Sequence, residues 1–181
     1  MKSFLMIIIS LLIGHFLNAQ HTTRFLEIVK DLEKISCKTD TTYYKNGKIW
    51  WTTCWTTYKY NSENYSARTG KMTQYYKNGQ IVTEYRLDEY GNIKSMKTFD
   101  RNGNKTKESA TTKIDSKAKS LDEFFVSQDH MNFKTFTLLY KFSKKLGIWY
   151  IYKEGNWINN KKKGVWITYY DTGKIKKEKK Y

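Results

Sequence analysis

The stretch Tyr43-Tyr44-Lys45-Asn46-Gly47-Lys48-Ile49 returns as Tyr75-Tyr76-Lys77-Asn78-Gly79-Gln80-Ile81 and again as Tyr169-Tyr170-Asp171-Thr172-Gly173-Lys174-Ile175. Paired aromatics, a turn dipeptide and an aliphatic residue are the parts of a β-hairpin. Asn-Gly accepts positive φ at both central positions, so Asn46-Gly47, Asn78-Gly79 and Asn102-Gly103 each predict a two-residue type I′ reversal. Thr172-Gly173 and Tyr90-Gly91 are poorer versions of the same turn. Gly79, Gly91 and Gly103 stand twelve residues apart, the rhythm of short antiparallel strands in a meander.

Working outward, a second element recurs: glycine followed two residues later by a large side chain, as in Gly70-Met72, Gly147-Trp149 and Gly164-Trp166. The fold class expected is mainly β, an antiparallel meander of repeated hairpins forming an elongated sheet. An amphipathic helix precedes it, roughly Thr23 to Ile35, where Phe25, Leu26, Ile28, Val29, Leu32 and Ile35 recur at helical spacing. The repeat breaks over 109–146. There Ala110 to Lys119 reads as a polar loop, and Ser120 with Glu123 forms a capping box that opens a short inserted helix. Met131 to Phe142 reads as a strand or strand pair. In Ile93 to Phe99 the large apolar residues fall three apart, which a regular two-faced strand does not accommodate. The chain therefore divides into 1–19, 20–42 (helix and linker), a first repeat block 43–108, an insert 109–146 and a second block 147–181.

Residues 1–19 read as an export signal: Lys2, then the apolar run Phe4 to Ile13, then Ala19 before the expected cut. The run is shorter than the roughly 20 residues a membrane span needs, and no later segment is apolar enough to cross a bilayer. With Lys2 set aside, residues 20–181 carry a net charge of +15, expected in the periplasm, at the cell surface or in the medium. The 181 residues lack proline but hold 15 Tyr, 9 Phe and 6 Trp, a composition that excludes collagen or a polyproline stalk and favours half-buried strands. Cys37 and Cys54 are the only cysteines. An oxidising compartment permits a disulfide tying the first helix to an early strand, and two buried thiols are the alternative.

Paired Tyr, Asn-Gly, an aliphatic two residues after the Gly and Glu five after it together resemble the MORN-repeat variant proteins, a group that includes bacterial chains catalogued as antitoxin-like. Glu84, Glu108 and Glu178 match the Glu position, and Thr52 departs from it after Gly47. The resemblance covers roughly Tyr43–Glu108 and Gly147–Tyr181. It implies a stack of hairpins acting as a binding scaffold, for proteins in some members and for lipid headgroups in some eukaryotic relatives. An antitoxin or immunity role is a further implication, which sits awkwardly beside an export signal.

No enzyme is expected. Outside the signal, His21 and His130 are the only imidazoles, and Asp129-His130 lies in no nucleophile-elbow context. Glu84 and Glu178 would be the acid and base of an envelope carbohydrate-active enzyme, but their fixed place in each repeat argues for pairing with cross-strand lysines. No glycine-rich phosphate loop and no zinc-ligand spacing occur, so no cofactor or metal is expected. The basic surplus carries the functional expectation. Lys161, Lys162, Lys163, Lys174, Lys176 and Lys177, interleaved with Trp149, Trp166, Tyr169 and Tyr170, suit a protein, an anionic cell-surface polymer or lipid headgroups, with export weighing against nucleic acid. The plainer reading keeps the lysines as strand-edge protection.

Overall fold

In the computed structural model, residues 20–60, 62–126 and 130–181 are described. The expected signal at 1–19 and Asp129 lie outside them. As the repeats require, the chain is mainly β. Ten strands form one open antiparallel meander: β2 (Glu33–Tyr43), β3 (Ile49–Tyr60), β4 (Glu63–Tyr75), β5 (Ile81–Leu87), β6 (Ile93–Phe99), β7 (Lys105–Ser116), β8 (Met131–Ser143), β9 (Ile148–Ile158), β10 (Lys161–Tyr169) and β11 (Ile175–Lys180). A two-residue strand, β1 (Gln20–His21), lies parallel to β7 at Lys113 and Ile114, beyond the reach of β6. Two helices complete the chain, α1 (Thr23–Val29) and α2 (Leu121–Val126).

The turns reverse the chain where expected but by different geometry. Tyr44 N–H donates to the Lys48 carbonyl at 2.7 Å and Gly47 N–H to the Tyr44 carbonyl at 2.9 Å, and only the glycine takes positive φ. This is a type I turn closed by a glycine bulge rather than the expected type I′ turn. Loops 76–80, 100–104 and 170–174 repeat both bonds, and loop 88–92 repeats the outer bond and the positive-φ glycine, each flanked by a register shift. The bulge accounts for part of the irregular spacing of Ile93 to Phe99: Ile93 sits beyond it from the regular ladder, while Met96 and Phe99 face opposite sides of the sheet. Two positive-φ asparagines, Asn159 and Asn160, make the tight reversal between β9 and β10 instead.

Three expectations are corrected. The first helix ends at Val29, and Ile35 is an exposed residue of β2. Glu33 and Lys34 already pair with Lys59 and Tyr58 of β3, and the β-branched Ile35, Thr39, Thr41 and Thr42 that follow suit a strand. The disulfide joins Cys37 to Cys54 across β2 and β3, with Cα atoms 6.5 Å apart, so it ties strand to strand rather than helix to strand. Residues 110–116 are not loop but the second half of β7, whose Ser109, Thr111 and Ser116 side chains are buried. The insert thus breaks the sequence repeat without breaking the sheet. The capping box does open α2: Glu123 N–H donates to Ser120 Oγ at 3.2 Å and Lys119 N–H to the Glu123 carboxylate at 2.7 Å.

Strand lengths shape the molecule. β5 and β6 have seven residues each, whereas β3 and β4 have twelve and thirteen and β7 and β8 twelve and thirteen. Before Gly70, β4 has no β5 partner, so β2–β4 continue as one arm and β7–β9 as another, with a notch between them. The helices bridge the two arms across this notch. Phe25, Val29, Ile114, Leu121 and Met131 form the buried cluster, with Tyr60, Phe124 and Phe125 against it. Thr22 caps α1 through the Phe25 N–H, and Arg24 and Thr22 both bond Asp115 on β7.

Candidate binding surfaces

Antiparallel order sends loops 44–48, 76–80, 100–104, 144–147 and 170–174 to one end of the sheet, and loop 88–92 with both helices to the other. The first end is a rim of turns locked side by side. Tyr44 OH donates to the Tyr75 carbonyl at 2.6 Å and Tyr76 OH to the Phe99 carbonyl at 3.0 Å. Asn78 Nδ2 reaches the Arg101 carbonyl at 3.2 Å, and Ser143 Oγ donates to the Asp171 carboxylate at 2.6 Å. Two repeat tyrosines therefore bind the first three turns in series, and Ser143 binds the last two.

On this rim, charge and apolar surface coincide. Its five loops hold Lys45, Lys48, Lys77, Arg101, Lys144, Lys145 and Lys174 against only Asp100 and Asp171. Asp100 is bound by the N–H groups of Asn102 and Asn104 and the Asn104 side chain; these bonds outweigh desolvation and hold its carboxyl below the usual range. Of the fifteen exposed large hydrophobic residues among the described residues, nine sit here: Tyr43, Ile49, Trp50, Phe142, Leu146, Ile148, Trp149, Tyr170 and Ile175. That share is too large to be scattered surface leucines and tyrosines.

The residues expected from sequence to form one basic-aromatic site divide among three places. Trp149, Tyr170, Lys174 and Lys176 belong to the rim, where Trp149 lies 5.9 Å from Phe142 and Lys176 5.3 Å from the Tyr170 ring. Lys161 and Lys163 project to one sheet face, with Tyr169, whose hydroxyl donates to Glu154 at 2.8 Å. Lys162, Trp166 and Lys177 take the other face. There Lys162 Nζ stands 4.8 Å from the Trp166 ring centroid and 5.1 Å from that of Tyr181, while Lys153 approaches Trp166 at 5.6 Å. Trp166 is 1% exposed and covers Gly155, so it is a packing residue rather than a ligand contact.

Two of the repeat glutamates, Glu84 and Glu108, form ion pairs on one sheet face. Glu84 pairs with Lys71 at 2.9 Å, and Glu108 with Lys105 at 2.6 Å and Lys97 at 3.8 Å. Burial pushes the Glu108 carboxyl up, but Lys105, Lys97 and the Tyr140 hydroxyl prevail and hold it below its ordinary value. Glu84 and Glu178 stand on β5 and β11, six strands apart and on the order of 29 Å by strand spacing, which no acid–base pair spans. His130 lies 3.6 Å from Glu123, and His21 bonds the buried Asp88 at 2.7 Å while stacking on Phe25. His21 anchors β1, a role that nothing in the sequence pattern signals. Among the described residues no group of three or more His, Cys, Asp or Glu is gathered to hold a metal, and no helix is long and apolar enough to cross a membrane.

The notch opens into a groove of about 730 Å³. Tyr65 and Arg68 stand on the first-arm side, Trp157 and Asn159 on the other, and Phe124 and Phe125 at the helical end. Ser109, Thr111, Thr135 and Thr137 supply a hydroxyl floor, with Ser109 and Thr137 2.9 Å apart and Thr111 donating to the Ile93 carbonyl at 2.6 Å. Sequence reading missed this site, because its residues come from β3 to β9 and share no motif.

An open antiparallel sheet of repeated hairpins defines a β-hairpin repeat protein. The MORN repeat variant model matches residues 68–86 and 162–181. Each match is one strand–turn–strand unit, β4–β5 and β10–β11, and the remaining copies are carried by the residue pattern alone. No curated protein matches the chain. A crystal structure of a porin-like protein from Bacteroides uniformis ATCC 8492 is similar at 9% identity and a TM-score of 0.20, over 78% of this chain and 60% of that one. The chain thus spans under two thirds of that protein's length, and a likeness this slight carries no argument.

Proposed function

We propose that this chain is an exported, non-enzymatic β-repeat scaffold that docks its turn rim onto an anionic lipid surface. The observation that carries the reading is the meeting, at one end of the sheet, of seven loop cations with nine exposed large apolar side chains. Cations near anionic headgroups contribute about 1 kcal/mol each, and rings and aliphatic chains beside them enter the headgroup boundary. The MORN repeat variant matches support a binding role, and the Cys37–Cys54 bridge supports an oxidising compartment.

Co-sedimentation with phosphatidylcholine vesicles, with and without phosphatidylglycerol, tests the proposal. Binding is expected only with the anionic lipid and falls as salt rises. Leu146→Ser with Trp149→Ser should weaken it by at least about tenfold through lost apolar burial. Lys161→Glu with Lys163→Glu, at the far end of β10, should weaken it much less than Lys144→Glu with Lys145→Glu. Equal binding to neutral vesicles, or indifference to the rim substitutions, would reject the reading; a soluble acidic protein captured through the same rim would replace the lipid as partner.

A further inference from the structure

The groove between the two arms lies toward the end of the sheet away from the rim, and docking leaves it unused. We infer that it binds an acidic oligosaccharide, a short glycan carrying carboxylate groups. Its volume of about 730 Å³ falls within the range of small-ligand sites, about 300 to 1,000 Å³. Among its lining residues stand two cations, Arg68 and Lys107, and no carboxylate. The charge selects an anion.

The shape and chemistry of the lining narrow the class further. Arg68 is held over the Trp55 ring at 5.0 Å, which orients its guanidinium. It stands on β4 and Lys107 on β7, three strands apart across the sheet and several residues apart along it, on the order of 20 Å in all by strand spacing and rise. That separation suits single charges distributed along a polymer better than the adjacent phosphates of a nucleotide. Ser109 and Thr137 bond each other and Thr111 bonds the Ile93 carbonyl, so the partly exposed Thr135 is the floor hydroxyl left to donate to and accept from a sugar hydroxyl. Trp157 and Phe133 offer flat apolar surface for the ring C–H faces of a pyranose, and Asn160 offers an amide at the mouth of the groove.

Isothermal titration of the full chain with hexagalacturonate tests this. Saturable one-to-one binding is expected, weakened at least about tenfold when the sugar carboxylates are methyl-esterified and by a similar factor in Arg68→Gln, which removes one charge-assisted contact. Lys107→Gln serves as the second variant should Arg68→Gln lower the melting temperature. No saturable binding, equal affinity for the esterified sugar, or a tighter response to oleate or ATP would overturn the assignment. Leu146→Ser with Trp149→Ser should leave hexagalacturonate affinity unchanged, so loss of vesicle docking and loss of glycan binding are separate failures.

Discussion

The Tyr44 hydroxyl donates to the Tyr75 carbonyl at 2.6 Å, and Lys77 of the next turn stands 5.9 Å from the Tyr44 ring. The second tyrosine of the first two repeat pairs is thus a staple. It closes its own turn through its backbone and reaches the following hairpin through its side chain. Tyr76 does the same to Phe99, with Arg101 5.9 Å from its ring. Tyr170 occupies the last turn and is 49% exposed.

Removing the staple should cost stability at Tyr44 and Tyr76 but not at Tyr170. Tyr44→Phe and Tyr76→Phe each leave a carbonyl without its donor and should lose about 1 kcal/mol in urea unfolding. Tyr170→Phe should fall within about 0.5 kcal/mol of the parent. Equal effects at all three positions would remove the stapling argument.

Gly155 should tolerate no side chain. A methyl there would overlap the Trp166 indole, whose Nε1–H donates to the Asn156 carbonyl at 3.0 Å. Gly155→Ala should destabilise by about 1 to 3 kcal/mol through overpacking and alter near-ultraviolet dichroism from the displaced tryptophan. An unchanged aromatic spectrum would show the indole elsewhere.

The disulfide closes a loop with a sequence separation of 17. Cys37→Ser with Cys54→Ser should lose about 3 kcal/mol, measured by denaturant unfolding of the oxidised parent against the variant. A thiol assay on the unreduced, denatured chain should find no free cysteine.

Acid should loosen the attachment of α1. Burial opposes ionisation of Asp115, but bonds from Thr22 and Arg24 prevail and hold its carboxyl below the ordinary range. A carboxylate lowered in this way adds stability at pH values above its unfolded value, near 4, and the contribution fades as pH falls through the lower folded value. Glu108 acts in the same direction on the other sheet face. Stability should therefore decline below about pH 4, and Asp115→Asn should flatten part of that slope. An identical pH profile in the variant would assign the decline elsewhere.

The hairpins were legible because Asn-Gly, paired Tyr and a following aliphatic residue act locally, within six or seven positions. The turn type was not. Asn78 remains at negative φ because its side-chain oxygen accepts the Gln80 N–H at 3.1 Å, an arrangement that suits the glycine-bulge loop. β7 was hidden by its composition: Thr111 and Ser116 look like loop residues until β8 lies beside them and turns their hydroxyls inward. The lysine run at Lys161, Lys162 and Lys163 looked like one patch, although neighbouring residues of a strand face opposite ways.

Local chemistry alone determined that the chain would fold back at each repeat glycine, that it would be mainly β, and that its surplus of charge would be positive. Only the tertiary structure decided which cations stand together. Antiparallel order carries alternate turns to one end of the sheet, and that gathers Lys45, Arg101 and Lys174 from positions more than fifty residues apart. The short β5 and β6 leave the notch that becomes a groove. Neither result is written in any local stretch, because each depends on how far every strand runs beside its neighbours.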